Sequence, residues 1–152
     1  MDFLLWATKS LHFFSMVVWL GGLMYQAVVT VPGLVAEETR DAGMAFMLRF
    51  LPYLWMCVWT MAVTGVALML FSPRFIFFDY GDSWSVILGA KQAVFLLMLF
   101  FSFGYARMLK RSAELKGTAD EQAFRERMVQ FNRINVGLAV IAVLLGSALN
   151  YY

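Results

Sequence analysis

Residues 10–36 read SLHFFSMVVWLGGLMYQAVVTVPGLVA, a run without a single charged side chain. It exceeds the ~20 residues that an α-helix needs to cross a hydrocarbon core of ~30 Å. Three further runs of this kind follow. Phe50 to Pro73 carries no charge, Ser83 to Ala106 carries only Lys91, and Ile134 to Tyr152 is again uncharged. Lipid offers no partner to a backbone amide or carbonyl, so each run satisfies its own groups as a helix. A cleaved signal peptide is the competing reading of the first run, which is too long and lacks a small-residue cleavage site.

The whole composition agrees. Of 152 residues 62% are hydrophobic and only 14% charged, with a mean hydropathy of +0.71. A water-soluble domain carries about a quarter of its residues charged. A net charge of +2, with no basic stripe interleaved with aromatics, gives no footprint for nucleic acid. The single cysteine, Cys57, excludes an internal disulfide and a thiolate cluster. The expected fold is therefore all-α: one antiparallel transmembrane four-helix bundle over 1–152, with spans at about 4–32, 50–72, 84–106 and 133–151.

Basic residues set the expected orientation. Arg107, Lys110, Arg111, Lys116, Arg125, Arg127 and Arg133 stand between the third and fourth runs, and Arg40 and Arg49 between the first two. The opposite side has Lys9 and Arg74. By the positive-inside rule the basic loops are cytoplasmic and both termini lie on the outer, periplasmic side of a bacterial inner membrane. Trp6, Phe75, Phe77, Phe78, Tyr80, Trp84, Tyr151 and Tyr152 form an outer aromatic belt, and Tyr53, Trp55 and Tyr105 mark the inner one. The long third loop leaves room for helical extensions that turn at Gly117 and Thr118, with Asp120 in a first helical turn.

Polar and small residues in helical register mark the faces turned away from lipid. They are Thr8, His12, Ser15, Trp19, Gly22 and Gln26 in the first span, then Tyr53, Cys57, Thr60, Thr64 and Ala67 in the second. The third gives Trp84, Leu88, Lys91, Phe95, Met98, Ser102 and Tyr105, and the fourth Asn135, Ala139, Ala142, Gly146 and Asn150. Packing accounts for most of these positions, but not for His12 and Lys91. His12, the only histidine, lies about 14 Å along its helix from Phe3, and Lys91 about 10 Å from Trp84, so both fall in the outer half. An ionisable side chain at that depth costs roughly 2.5–3.5 kcal/mol on insertion scales and marks a functional position. The plain alternatives are a neutral imidazole bonded to a neighbouring helix and a lysine that snorkels to the headgroups. Neutral imidazole is also the commonest metal and haem ligand.

The segment Lys9-Ser-Leu-His12, six residues, then Trp19-Leu-Gly-Gly22-Leu-Met-Tyr25 resembles the first helix of the copper-resistance CopD domain and of the HemJ-type protoporphyrinogen oxidases. The likeness continues with Lys91 in the third span and with Phe131-Asn132-Arg133-Ile134-Asn135 opening the fourth. The Gly21–Gly22 pair and Pro32 bring the first span nearer to the CopD side. The resemblance implies a small membrane bundle holding haem b, with His12 as metal ligand and Lys91 as a cofactor-binding and catalytic residue. It also implies a porphyrinogen-oxidising activity that passes electrons to a quinone.

Three functions therefore stand side by side. A haem-b redox protein would use His12 as axial ligand, Met16, Met69, Lys91, water or a second subunit on the other side, and Lys9 or Lys91 against the propionates, with Trp19 lining the pocket. A copper-binding or transporting protein would draw on imidazole and thioether, eleven methionines being present. A non-catalytic helical subunit would need only partners in the bilayer, as copies of itself or within a larger complex. Asp79 and Asp82 read as a solvated turn, and Glu37, Glu38 and Asp41 as a solvated face with Arg40.

Overall fold

A computed structural model describes residues 2–30, 40–72, 81–112, 114–115, 118 and 120–149. Those residues form four helices and no strand. Helix α1 spans Asp2–Tyr25 and runs on into a π-helical turn, Gln26–Thr30. Helix α2 is Arg40–Leu70, α3 is Ser83–Ser112 and α4 is Glu121–Leu149. All four are long and apolar enough to cross a membrane, as in a multi-pass membrane protein.

The last three helices begin or end well beyond the expected spans. At 1.5 Å per residue, α2, α3 and α4 each measure about 45 Å, some 15 Å more than a hydrocarbon core. The excess lies at one end, where α2 and α4 begin and α3 finishes with Lys110 and Arg111 in its last turn. Charged residues there stand in water while apolar ones still pack. Met47, Tyr105, Leu109 and Met128 close a small core of their own. Thr118 carries the turn between α3 and α4: its hydroxyl donates to the Leu115 carbonyl at 2.8 Å, and its own carbonyl accepts from Glu121 N at 3.2 Å. We call this the basic-loop end, and the opposite one the terminal end. Helix α3 starts at the terminal end, where Asp82 Oδ1 accepts from Ser85 N at 3.0 Å and serves as its cap.

The helices pack as two hairpins, α1 with α2 and α3 with α4, and the hairpins meet along a looser seam. Each hairpin depends on a missing side chain. A Cβ at Gly22 would stand 2.7 Å from Phe50 Cε1 and 3.2 Å from Leu54 Cδ2, so only hydrogen lets α2 come this near. A Cβ at Gly104 would likewise lie 2.7 Å from Phe131 Cε1. Between the hairpins, Trp19, Leu23, Leu54, Cys57, Val58, Met61, Met98 and Ala139 form the main core, with Trp19 edge-on to Phe95 at 6.1 Å.

The expected inward faces hold for Ser15, Trp19, Gly22 and Gln26 of α1, for Met98 and Tyr105 of α3, and for Asn135 and Ala139 of α4, all buried. In α2 the expected face holds at Cys57 and Thr64, both buried, but not at Tyr53, which is 59% exposed, while Leu51 and Leu54 turn inward. A phenol near a membrane surface gains by reaching the headgroups, so its polarity did not mark the inward face. Asn150, Tyr151, Tyr152, the belt residues Phe75, Phe77, Phe78 and Tyr80, and Glu37, Glu38, Asp79 and Gly117 lie outside the described residues.

Burial is uneven along the bundle. Nothing in α3 before Met98 and nothing described in α4 after Ala139 is buried. The terminal half of the bundle is therefore splayed, and the core sits in the middle and at the basic-loop end.

Candidate functional site

His12 occupies that splayed half. Its ring lies against α2, with Cε1 3.4 Å from where a Cβ of Gly65 would stand. Its Nδ1 is 2.9 Å from Thr64 Oγ1. The direction of this bond follows from counting hydrogens. Thr64 has one hydroxyl hydrogen, and its oxygen lies 2.6 Å from the Thr60 carbonyl and 3.4 Å from that of Met61. With its hydrogen given to its own helix, the Thr64 oxygen can accept from His12 Nδ1, which leaves the lone pair on Nε2. The Met61 backbone carbonyl also bonds the ring. A ligating histidine uses one nitrogen for an orienting hydrogen bond and the other for the metal.

Lys91 comes from the other hairpin. Its Nζ lies 3.2 Å, and its Cε 3.8 Å, from where a Cβ of Gly146 would stand on α4. The α3–α4 register fixed by the Asn135–Ser102 bond and the Gly104–Phe131 contact puts residue 146 opposite residue 91. The lysine therefore lies across its neighbour at its own depth and does not climb toward the headgroups. It has no hydrogen bond or ion pair among the described residues. The Gln92–Met69 contact places this stretch of α3 about 7 Å nearer the terminal end than Thr64, counting five residues of α2. Half-buried Lys91 and His12 thus share the terminal half, one on each wall of the loose seam.

The other sequence candidates are placed differently. Lys9 is exposed. Trp19 is buried in the main core, with Met16 packed against it. The Met69 sulfur accepts from Gln92 Nε2 at 2.8 Å. The close methionine pair is also engaged: Met47 Sδ accepts from Tyr105 Oη at 2.9 Å and Met44 Sδ from Ser112 Oγ at 3.2 Å. These thioethers act as weak acceptors in helix packing and do not converge on a common point. Among the described residues no three of His, Cys, Asp and Glu come together to hold a metal ion. Thr64 and Gly146 were on the expected inward faces, but sequence reading did not pair them with His12 and Lys91, and it missed Gly65. Helical register could have found Gly65, because it lies one turn from Met61, which is buried.

This donor set discriminates between metals. A bare copper or zinc ion commonly takes several ligands from the protein, and among the described residues His12 is the one imidazole. A haem brings four nitrogens of its own and needs a single axial donor, with cations for its propionates. His12 and Lys91 offer one imidazole and one ammonium of that kind. Compared with known proteins, the chain matches no family model, no curated protein and no solved structure.

Proposed function

We propose that this chain is a haem-b-binding redox protein of the membrane, in which His12 would hold the iron and the Lys91 ammonium would pair with a carboxylate. The observation that carries the reading is the contact of His12 Nδ1 with Thr64 Oγ1, which orients the single imidazole against α2 inside the bundle. Haem in such a site supplies one-electron chemistry. The chain's own residues do the rest. Thr64 orients the ring, Gly65 and Gly146 keep the walls free of side chains, and Lys91 holds an anionic group at the seam.

The resemblance to the CopD and HemJ-type proteins supports the same reading, and extends it to an oxidase of porphyrinogens whose substrate carboxylates would meet Lys91. In this reading the bundle is a single domain of a bacterial inner membrane, with the terminal end facing outward and a quinone or another redox subunit taking the electrons.

The test is the absorption spectrum of the protein purified in mild detergent with haem supplied. A stoichiometric Soret band that is lost in His12→Ala, while Cys57 stays protected from thiol reagents, is the expected result. A wild-type protein that takes up no haem, or a His12→Ala variant with an unchanged band, overturns the reading.

A further inference from the structure

A second polar centre lies at the other end of the main core, about 21 Å from His12 along α1. The π-helical turn, wider than an α turn, carries Gln26 inward toward α4. There it meets Asn132 and Asn135, and the three side chains are only 1%, 2% and 2% exposed. Asn135 Nδ2 donates to Ser102 Oγ at 2.7 Å. Three atoms of the group then have no hydrogen-bond partner: Gln26 Oε1, Asn135 Oδ1 and Asn132 Nδ2. All three residues line one cavity of about 20 Å³, walled elsewhere by apolar side chains such as Trp19 and Leu54.

Buried amides left unpaired are costly, and buried polar groups are nearly always paired with protein or with ordered water. The unmet set is two acceptors and one donor. A water molecule offers two hydrogens and a lone pair, and needs roughly 10–15 Å³ of such space together with two to four polar partners. We infer that the cavity between the π-helical turn and α4 is a binding site for one water molecule, which donates to Gln26 and Asn135 and accepts from Asn132. That water joins the first hairpin to the second where the basic-loop half closes, adding hydrogen bonds to the direct packing of the π-helical turn on α4. It also gives the π-helical turn a purpose, since π turns recur where a side chain must be brought to a particular point. The inference is independent of haem binding at His12.

Stability measurements separate the two cases by sign. With the water in place, Gln26→Met and Asn132→Leu each remove one of its partners, and each lowers the melting temperature by about 2–4 °C. The double variant loses no more than the worse single, because both act through one molecule. If the site is dry, the same substitutions delete unsatisfied groups and the melting temperature rises. A rise in either single variant, or losses that simply add, overturns the proposal. Diffraction of the wild-type protein supplies a second readout that needs no variant to fold. One round density peak within hydrogen-bond reach of the three atoms supports the water. No peak there, or elongated density from a larger molecule, refutes it.

Discussion

Gly21 and Gly22 are neighbours on one helix, and their replacement by alanine should have opposite effects. A Cβ at Gly21 meets nothing within 4 Å, so Gly21→Ala only removes backbone freedom from the unfolded chain. That gain is about 0.5–1 kcal/mol. At Gly22 the same methyl would stand 2.7 Å from Phe50 Cε1 and 3.0 Å from its Cζ. The ring cannot simply swing aside. It is stacked on Phe46 at 5.9 Å and tilted against Tyr53 at 6.4 Å, so moving it disturbs a row of three aromatics. Overpacking of this kind costs about 1–3 kcal/mol, which outweighs the helix-propensity gain. The two variants should therefore differ by about 1–3 kcal/mol, or several degrees in melting temperature for a chain of this size. Cys57 provides the assay. It is the only cysteine and lies buried in the main core, so a thiol-reactive fluorophore added during heating reports when α1 and α2 part. If Gly22→Ala melts as high as Gly21→Ala, the close approach of α1 and α2 does not hold the first hairpin together.

Other outcomes follow at the His12 site. Thr64→Val keeps the shape but removes the oxygen that orients the ring, so haem affinity should fall about 10–100-fold in titrations, while Thr64→Ser retains it. An unchanged affinity in Thr64→Val would show that the ring is oriented by something else. Gly146→Leu fills the space beneath the Lys91 ammonium, and Lys91→Met removes its charge. Both should weaken haem about tenfold or more, as loss of a charged hydrogen bond does. Neither should affect haem dimethyl ester, whose propionates are masked, and equal losses with both forms would exclude the carboxylate role.

The four helices were legible because charge and hydropathy alone decide which segments lipid accepts. The ends were less so. A search for ~20 apolar residues stops where the charges begin, yet α4 starts at Glu121 and α2 at Arg40, because a helix leaving the bilayer continues as long as an apolar stripe finds something to pack on. Met47, Leu109 and Met128 are that stripe, and they are hidden among arginines in the sequence. The depth of His12 and Lys91 came from counting residues along a helix. Their placement on opposite walls of one seam, and the bond that orients His12, came only with the register of α2 and α4. Gly21 and Gly22 read alike in the sequence, and only the approach of Phe50 tells them apart. Gln26 and Asn135 were on the expected inward faces, but nothing local says that amides from the first and last spans meet.

The three methionine sulfurs that accept hydrogen bonds from α3 have a consequence for assembly. Met69, Met47 and Met44 all sit on α2, and their bonds to Gln92, Tyr105 and Ser112 cross from one hairpin to the other. Thioether sulfur is a weak acceptor on a pliant stem, so these bonds let the hairpins find each other without demanding a unique alignment first. Each hairpin can enter the bilayer and settle around its own glycine, then slide along its partner until the sulfurs catch. The final fit is thus left to the last step of folding.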